Sequence, residues 1–230
     1  MLKNRHTEDG SIEAGIDEAG RGCLWGPMVA AACVWPESLS AEDQILEAQI
    51  NDSKRLTPKK RAVLEAFIKR VAQWSLGTVE AAEIDRIGMT RANRLAFQRA
   101  FEGLPVKPAR IIIDGVLPMD PTDGVAQIVE PKADSMYISI AAASILAKEG
   151  RDRMVKEQCA TDPSLEERYS ILSSKGYGTE KHRAGLKTHG MHALHRRLFL
   201  RKILGIEHSC EYSPQNTEVK SPLEGYCFDT

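Results

Sequence analysis

The cysteines, Cys23, Cys33, Cys159, Cys210 and Cys227, are few, odd in number and scattered, with no Cys-x-x-Cys pair among them. A disulfide framework and a thiolate zinc site both need paired or closely spaced sulfurs, so neither is expected, and the thiols read as reduced, some of them in the core. No apolar run approaches the roughly 20 residues that cross a bilayer. The first ten residues are polar and lack the apolar centre of a signal peptide. A cytoplasmic protein with no membrane association is therefore expected. Internal repeats and low-complexity linkers are missing too. What remains, 230 residues with 42% hydrophobic and 27% charged side chains, suits one large domain, or a domain with an appendage, able to bury a proper core.

A net charge of −1 conceals a local asymmetry. Lys175, Lys181, Arg183, Lys187, Arg196, Arg197, Arg201 and Lys202 face a single acid, Glu180, whereas the segment after them carries Glu207, Glu211, Glu218, Glu224 and Asp229 against Lys220. A basic stretch suits a polyanionic substrate, because cations near phosphates displace condensed counterions. A solvated helix face would look the same.

Hydrophobic period places the elements. Ile12–Ile16 alternates as a strand, Met28–Trp35 is a short buried run, and Ser75–Ala81 reads as a third strand. Arg110–Asp114 and Gly124–Val129 supply two more. Helices are predicted from Ser40 to Ala48, from Thr57-Pro58 to Val71, from Thr90 to Phe101, and over a long alanine-rich stretch from Asp134 to about Gln158. Gly176 and Gly178 mark a loop before short basic helices. Early strands joined by short connections can pair antiparallel, and the fourth, arriving after a helical crossover, can pair in parallel, so a mixed α/β domain follows.

Four acids carry the chemistry. Asp17 and Glu18 end the first apolar strand, Asp114 ends the Ile111-Ile112-Ile113 run before Gly115, and Asp134 opens the alanine-rich helix. Carboxylates at element ends can converge at the edge of a parallel sheet, and hard oxygen ligands select Mg²⁺ or Mn²⁺ over Zn²⁺. Each has a plainer reading: Asp134 as a helix cap, Asp114 as a turn residue. Adjacent strand residues also point to opposite faces, which separates Asp17 from Glu18 unless the strand end twists or the metals reach around it. Gly20, Arg21, Gly22 and Gly26 imitate a phosphate-cradling loop, but such a loop opens a helix, and Pro27 leads into a strand. His189, His192 and His195, every third residue without a carboxylate or Cys partner, read as helix-surface or phosphate-contacting groups, and Trp25, Trp35 and Trp74 as core.

Six blocks in order then resemble the ribonuclease HII family: G-I-D-E-A-G-R-G at 15–22 with Gly26-Pro27, Asn51-Asp52-Ser53-Lys54 with Leu56, Ile113-Asp114-Gly115, Lys132-Ala133-Asp134-Ser135, A-A-A-S-I-L-A-K-x-x-R-D at 141–152, and G-Y-G-T with His182 at 176–182. The resemblance runs from Gly15 to about Phe199. It implies a ribonuclease H-like fold, a mixed five-stranded sheet flanked by helices with a helical C-terminal part, over residues 1–205, followed by an acidic extension at 206–230. It implies two-metal hydrolysis of the RNA strand of RNA–DNA hybrids and of ribonucleotides embedded in duplex DNA, with Mg²⁺ or Mn²⁺ on Asp17, Glu18, Asp114 and Asp134, leaving 3′-hydroxyl and 5′-phosphate ends. By the same resemblance the backbone of Gly20, Arg21 and Gly22 would contact the ribose 2′-hydroxyl, Ser53, Lys54 and Arg55 would bind phosphates, and Tyr177 would sense the sugar at an RNA–DNA junction. A monomer is expected, with no protein partner indicated. Cys23 stands where the family often has proline, and Glu149-Gly150 interrupts its helix, where a glycine is expected to loosen the turn at about 1 kcal/mol.

Two rival functions compete. An exonuclease with four acids spaces its first pair one residue apart and carries a Tyr or His before its last Asp, unlike adjacent Asp17-Glu18. A non-catalytic nucleic-acid binder would use the basic segment and leave the acids unexplained.

Overall fold

The computed structural model describes residues 2–122 and 124–204. The expected acidic extension at 206–230 lies outside the described residues. In chain order the elements are β1 (Glu13–Ala19), β2 (Met28–Val34), α1 (Ala41–Glu47), α2 (Pro58–Val71), β3 (Gln73–Val79), α3 (Ala81–Ile87), α4 (Met89–Glu102), β4 (Arg110–Asp114), β5 (Ala126–Glu130), α5 (Ile138–Thr161), α6 (Ser164–Tyr169), α7 (Ile171–Ser174), α8 (Glu180–His189) and α9 (Arg197–Leu204). Three-residue 3₁₀ turns at Ser53–Arg55 and Ala133–Ser135 precede α2 and α5.

The strands form one sheet in the order β3-β2-β1-β4-β5. β1–β2 and β2–β3 pair antiparallel, while β1–β4 and β4–β5 pair parallel. Only β1–β2 has the short connection expected of the early strands, since α1 and α2 lie between β2 and β3, and β4 and β5 pair in parallel with no helix between them. Both faces are covered. Against one lie α5 and α2, with Ala31, Cys33, Phe67, Ile68 and the buried alanines of α5; against the other lies α4, with Ile16, Met28, Phe97, Ile111 and Ile113. A helix apolar all round belongs in a core, and Ser139–Ala147 is buried throughout. Its small side chains let it sit close to β1: a Cβ on Gly15 would stand 2.5 Å from the backbone N of Ile140.

Several boundaries differ from expectation. β1 continues through Ala19, because both of its faces are covered and the acids stay within the sheet. The third strand starts at Gln73 and ends at Val79, since the Glu83 carboxylate accepts from the Glu80 N–H and starts α3, a helix the periodicity did not reveal. α6 and α7 were likewise unanticipated. The stretch from Asp134 divides into the 3₁₀ turn and α5, whose preceding cap residue is Tyr137, so Asp134 is not the cap of α5. α5 runs unbroken past Gly150. Gly150 is buried, and a Cβ there would lie 3.0 Å from Leu76 Cδ1, so the glycine admits β3.

Candidate active site

The parallel register of β1 and β4 sets Ile16 beside Ile113, with both side chains on the α4 face. One residue further along each strand, Asp17 and Asp114 therefore share the α5 face. The 3₁₀ turn at 133–135 carries Asp134 to the same place, and it is tied there by the Ala133 N–H, which donates to Asp114 Oδ1 at 2.7 Å. Lys132, just before, holds the left-handed conformation (φ 63°), uncommon for a non-glycine residue. One carboxylate oxygen from each of Asp17, Asp114 and Asp134 lies within 4.8 Å of the others.

Glu18 falls on the opposite face, as strand alternation requires. Its carboxyl lies 3.9 Å from Arg21 Nη1, and Asn93, a buried residue of α4 that sequence reasoning did not single out, also acts on it, lowering its pKa. It still feels the cluster. Burial raises its pKa, Arg21 opposes this, and the Asp114 charge adds to the rise. Asp17 is raised well above 3.8, chiefly by burial and then by Glu18, against a hydrogen bond from Ser144. Asp134 is raised by burial, then by Asp114 and Asp52. Like charges desolvated together resist ionisation, and a cation reverses this. Three convergent hard oxygens with a fourth carboxylate on the next residue thus fit one or more divalent cations, which this set of donors can hold without sulfur or imidazole.

The Ser53 hydroxyl, expected on phosphate, turns inward to Ser144 Oγ at 2.9 Å, and Ser144 in turn partly offsets the rise in the Asp17 pKa. Ser53 thereby links the 3₁₀ turn to the acid cluster. Lys54 and Arg55 are exposed on that turn, and the charge of Lys54 acts on both Glu18 and Asp134. Arg21 is exposed as well.

Gly20–Gly22 forms a turn closed by Cys23 N–H on Gly20 O (3.2 Å), and Tyr177, 43% exposed, stands on the Gly176–Gly178 loop. The two loops meet over Arg151. This fully buried residue donates to the carbonyls of Pro27 (2.9 Å), Trp25 (3.0 Å) and Lys175 (2.7 Å). Gly20 and Gly176 both have positive φ, and a Cβ on Gly20 would collide with the Arg151 side chain, one on Gly176 with Trp25 O at 2.6 Å. Glycine is needed at both.

Two expectations are corrected. His195 is not a surface group: it is 2% exposed and hydrogen-bonded to His182 at 2.9 Å. Arg196, counted with the phosphate-facing bases, is fully buried on the carbonyls of Gly20, Arg21 and Gly26. No motif signalled either inward turn. Trp25 and Trp35 are core as expected, and Trp74 is partly buried against it.

Among the described residues, no helix is long and apolar enough to cross a membrane. The family model for ribonuclease HII matches residues 14–202. A ribonuclease HII of Parabacteroides distasonis is 44% identical over 195 residues, 84% of this chain and 92% of that protein; one of Synechococcus sp. is 41% identical over 196 residues, 85% of this chain and 96% of that protein. In three dimensions the ribonuclease H2 of Pyrococcus horikoshii OT3 superposes with a TM-score of 0.66 at 29% identity, covering 84% of this chain and 97% of the other. The mixed sheet, the acids that β1, β4 and the 3₁₀ turn bring together and these matches lead to one conclusion: the chain belongs to the ribonuclease HII family and is a metal-dependent endonuclease of ribonuclease H type.

Proposed function

We propose that this enzyme hydrolyses the RNA strand of RNA–DNA hybrids and also cuts at single ribonucleotides embedded in duplex DNA, with Asp17, Glu18, Asp114 and Asp134 holding two divalent cations, Mg²⁺ or Mn²⁺. The observation that carries the reading is the approach of Asp17, Asp114 and Asp134 to within 4.8 Å, with Glu18 coupled to them from the other face. Cations bound there would lower the pKa of water and neutralise charge developing on the phosphate and the leaving 3′-oxygen.

The chain's own residues do the rest. Water adds across the phosphodiester, the bond from phosphorus to the 3′-oxygen breaks, and a 3′-hydroxyl and a 5′-phosphate remain. Ser144, bonded to Ser53 and acting on Asp17, orients the deepest carboxylate and ties it to the turn carrying Lys54 and Arg55, which bind backbone phosphates. Ser53 acts from inside that turn. The backbone of Gly20–Gly22 meets the ribose 2′-hydroxyl, the group that separates RNA from DNA at one position. Tyr177, exposed beside Lys148, stacks on the deoxyribose that follows the ribonucleotide. Residues 1–205 form the catalytic unit, and 206–230 an acidic extension.

The test is a DNA duplex containing one ribonucleotide. With Mg²⁺ it is expected to be cut once, leaving 3′-hydroxyl and 5′-phosphate ends, and Asp134→Asn should lower the rate by several orders of magnitude with the fold intact. A change of about 1 kcal/mol in stability with little loss of rate would reduce Asp134 to a turn-stabilising residue.

A further inference from the structure

The Gly20–Gly22 turn and the Tyr177 loop lie far apart in the chain, and one dipeptide is tied to both, to the turn directly and to the loop through His182. Leu194, His195 and Arg196 run alongside residues 24–26: the Arg196 N–H donates to Leu24 O at 2.8 Å, and the Gly26 N–H to Leu194 O at 2.9 Å. From this rail the Arg196 side chain passes beneath the turn. Its Nη1 donates to Gly20 O (2.7 Å) and Arg21 O (3.0 Å), and its Nε to Gly26 O (2.8 Å). It is fully buried, forms no ion pair among the described residues, and leaves Nη2 without a partner. A buried guanidinium on carbonyls alone is a poor way to fill a core. It does orient peptides. In a planar trans peptide the carbonyl and the next N–H point in opposite directions. With the Gly20 and Arg21 carbonyls drawn down onto Arg196, the N–H groups of Arg21 and Gly22 face away from it, and neither meets an acceptor within the described residues.

His195 reaches the other loop. The His192 N–H donates to His195 Nδ1 at 2.9 Å, so that nitrogen carries the lone pair and the proton sits on Nε2. His195 Nε2–H then donates to His182 Nε2 at 2.9 Å, and His182 Nδ1–H to the Tyr177 carbonyl at 2.9 Å. Every ring nitrogen is used once, and the relay works only with both rings neutral, since a further proton would set two N–H groups face to face. Burial first of all holds them so, lowering His182 and taking His195 down to about 3. The Tyr169 ring packs edge-on against His195, centroids 4.9 Å apart, and fixes its plane.

We infer that His195 and Arg196 are positioning residues that hold the two sugar-reading loops in register: Arg196 turns the amides of the Gly20–Gly22 turn outward, and His195, through His182, sets the height of Tyr177. The inference rests on the proposed roles of that turn and of Tyr177.

The test uses the full-length protein with Mg²⁺ and two substrates, duplex DNA with one ribonucleotide and a continuous RNA–DNA hybrid. His195→Phe is expected to lower kcat on the single ribonucleotide about tenfold relative to the hybrid, with KM unchanged, while His195→Gln, which keeps a donor for His182, restores most of it. The His195→Phe/Tyr177→Ala double variant should be no worse than Tyr177→Ala alone. Selective loss in Tyr177→Ala but not in His195→Phe overturns the coupling and leaves the role of Tyr177 standing; selective loss in neither overturns both. For the turn, Arg196→Lys should narrow about tenfold the rate ratio between a ribonucleotide and its 2′-fluoro analogue, a weaker acceptor for the two amides. An unchanged ratio overturns the role of Arg196. Should a variant fail to fold, ¹⁵N NMR of the wild-type imidazoles still decides the relay: His182 protonated at Nδ1 and His195 at Nε2 supports it, and the reverse tautomers or a charged ring at neutral pH overturns it.

Discussion

Asp17 is the most constrained side chain of the cluster, because it is buried at 6% exposure among acids and its ionisation is opposed by burial, Glu18 and Asp114. A carboxyl whose folded pKa is raised above its ordinary value of 3.8 is protonated more in the folded than in the unfolded chain. Its contribution to stability is therefore complete below that value and is lost as pH rises through the raised one. Asn is permanently neutral there. In metal-free protein at pH 7, Asp17→Asn should unfold a few degrees above the wild type, with the advantage vanishing as pH falls toward 3.8. Divalent cation should reverse the order, since only the wild type keeps the full ligand set, and cleavage by the variant should fall by several orders of magnitude. Calorimetry across pH, with and without Mg²⁺, checks both; a variant less stable than wild type in metal-free protein at pH 7 would mean that the acids do not repel one another as the geometry requires.

At the scale of elements, the site depends on how closely α5 lies on β1. Gly15 permits that approach, and two residues on, the same strand carries Asp17. A methyl group at Gly15 meets backbone, which cannot move aside as a side-chain tip can. Gly15→Ala is expected to cost about 1–3 kcal/mol, or roughly 3–10 °C in thermal midpoint, and to lower cleavage by shifting Asp17 relative to Asp134. A midpoint within a degree of wild type would show that α5 does not seat on β1 there. The sheet was legible because its runs are short, apolar and separated by turn residues, and because Ile111-Ile112-Ile113 between Arg110 and Asp114 is a short β-branched run of strand length. The acids were legible as residues, through their family context and their places at element ends. Their arrangement was legible only in part: alternation does separate Glu18 from Asp17, but the closeness of Asp17, Asp114 and Asp134 depends on parallel register and on the 3₁₀ turn, which no local pattern encodes. Arg196 and His195 were unreadable for the same reason, since a buried base in a basic stretch looks like its solvated neighbours until the carbonyls it meets are known.

Over the whole molecule, the last described helix, α9, packs Leu200, Ile203 and Leu204 against Trp25, Tyr169 and Leu186, in the layer that also carries His195 and Arg196. A chain ending at Gly205 keeps this layer and is expected to retain cleavage within about twofold, because no proposed site residue lies beyond it. Loss of activity in that truncation would move the boundary of the catalytic unit into 206–230. The central claim, metal-dependent endonucleolytic cutting at a ribonucleotide by the Asp17, Glu18, Asp114 and Asp134 cluster, is tested most directly on a closed circular DNA duplex carrying one ribonucleotide, which offers an exonuclease no end. Followed by gel shift of the circle, the wild type should convert it to a nicked form with Mg²⁺ and leave it closed in EDTA, and Asp114→Asn should leave it closed in both. Nicking in EDTA, undiminished nicking by Asp114→Asn, or a circle that is bound but never cut would contradict the claim.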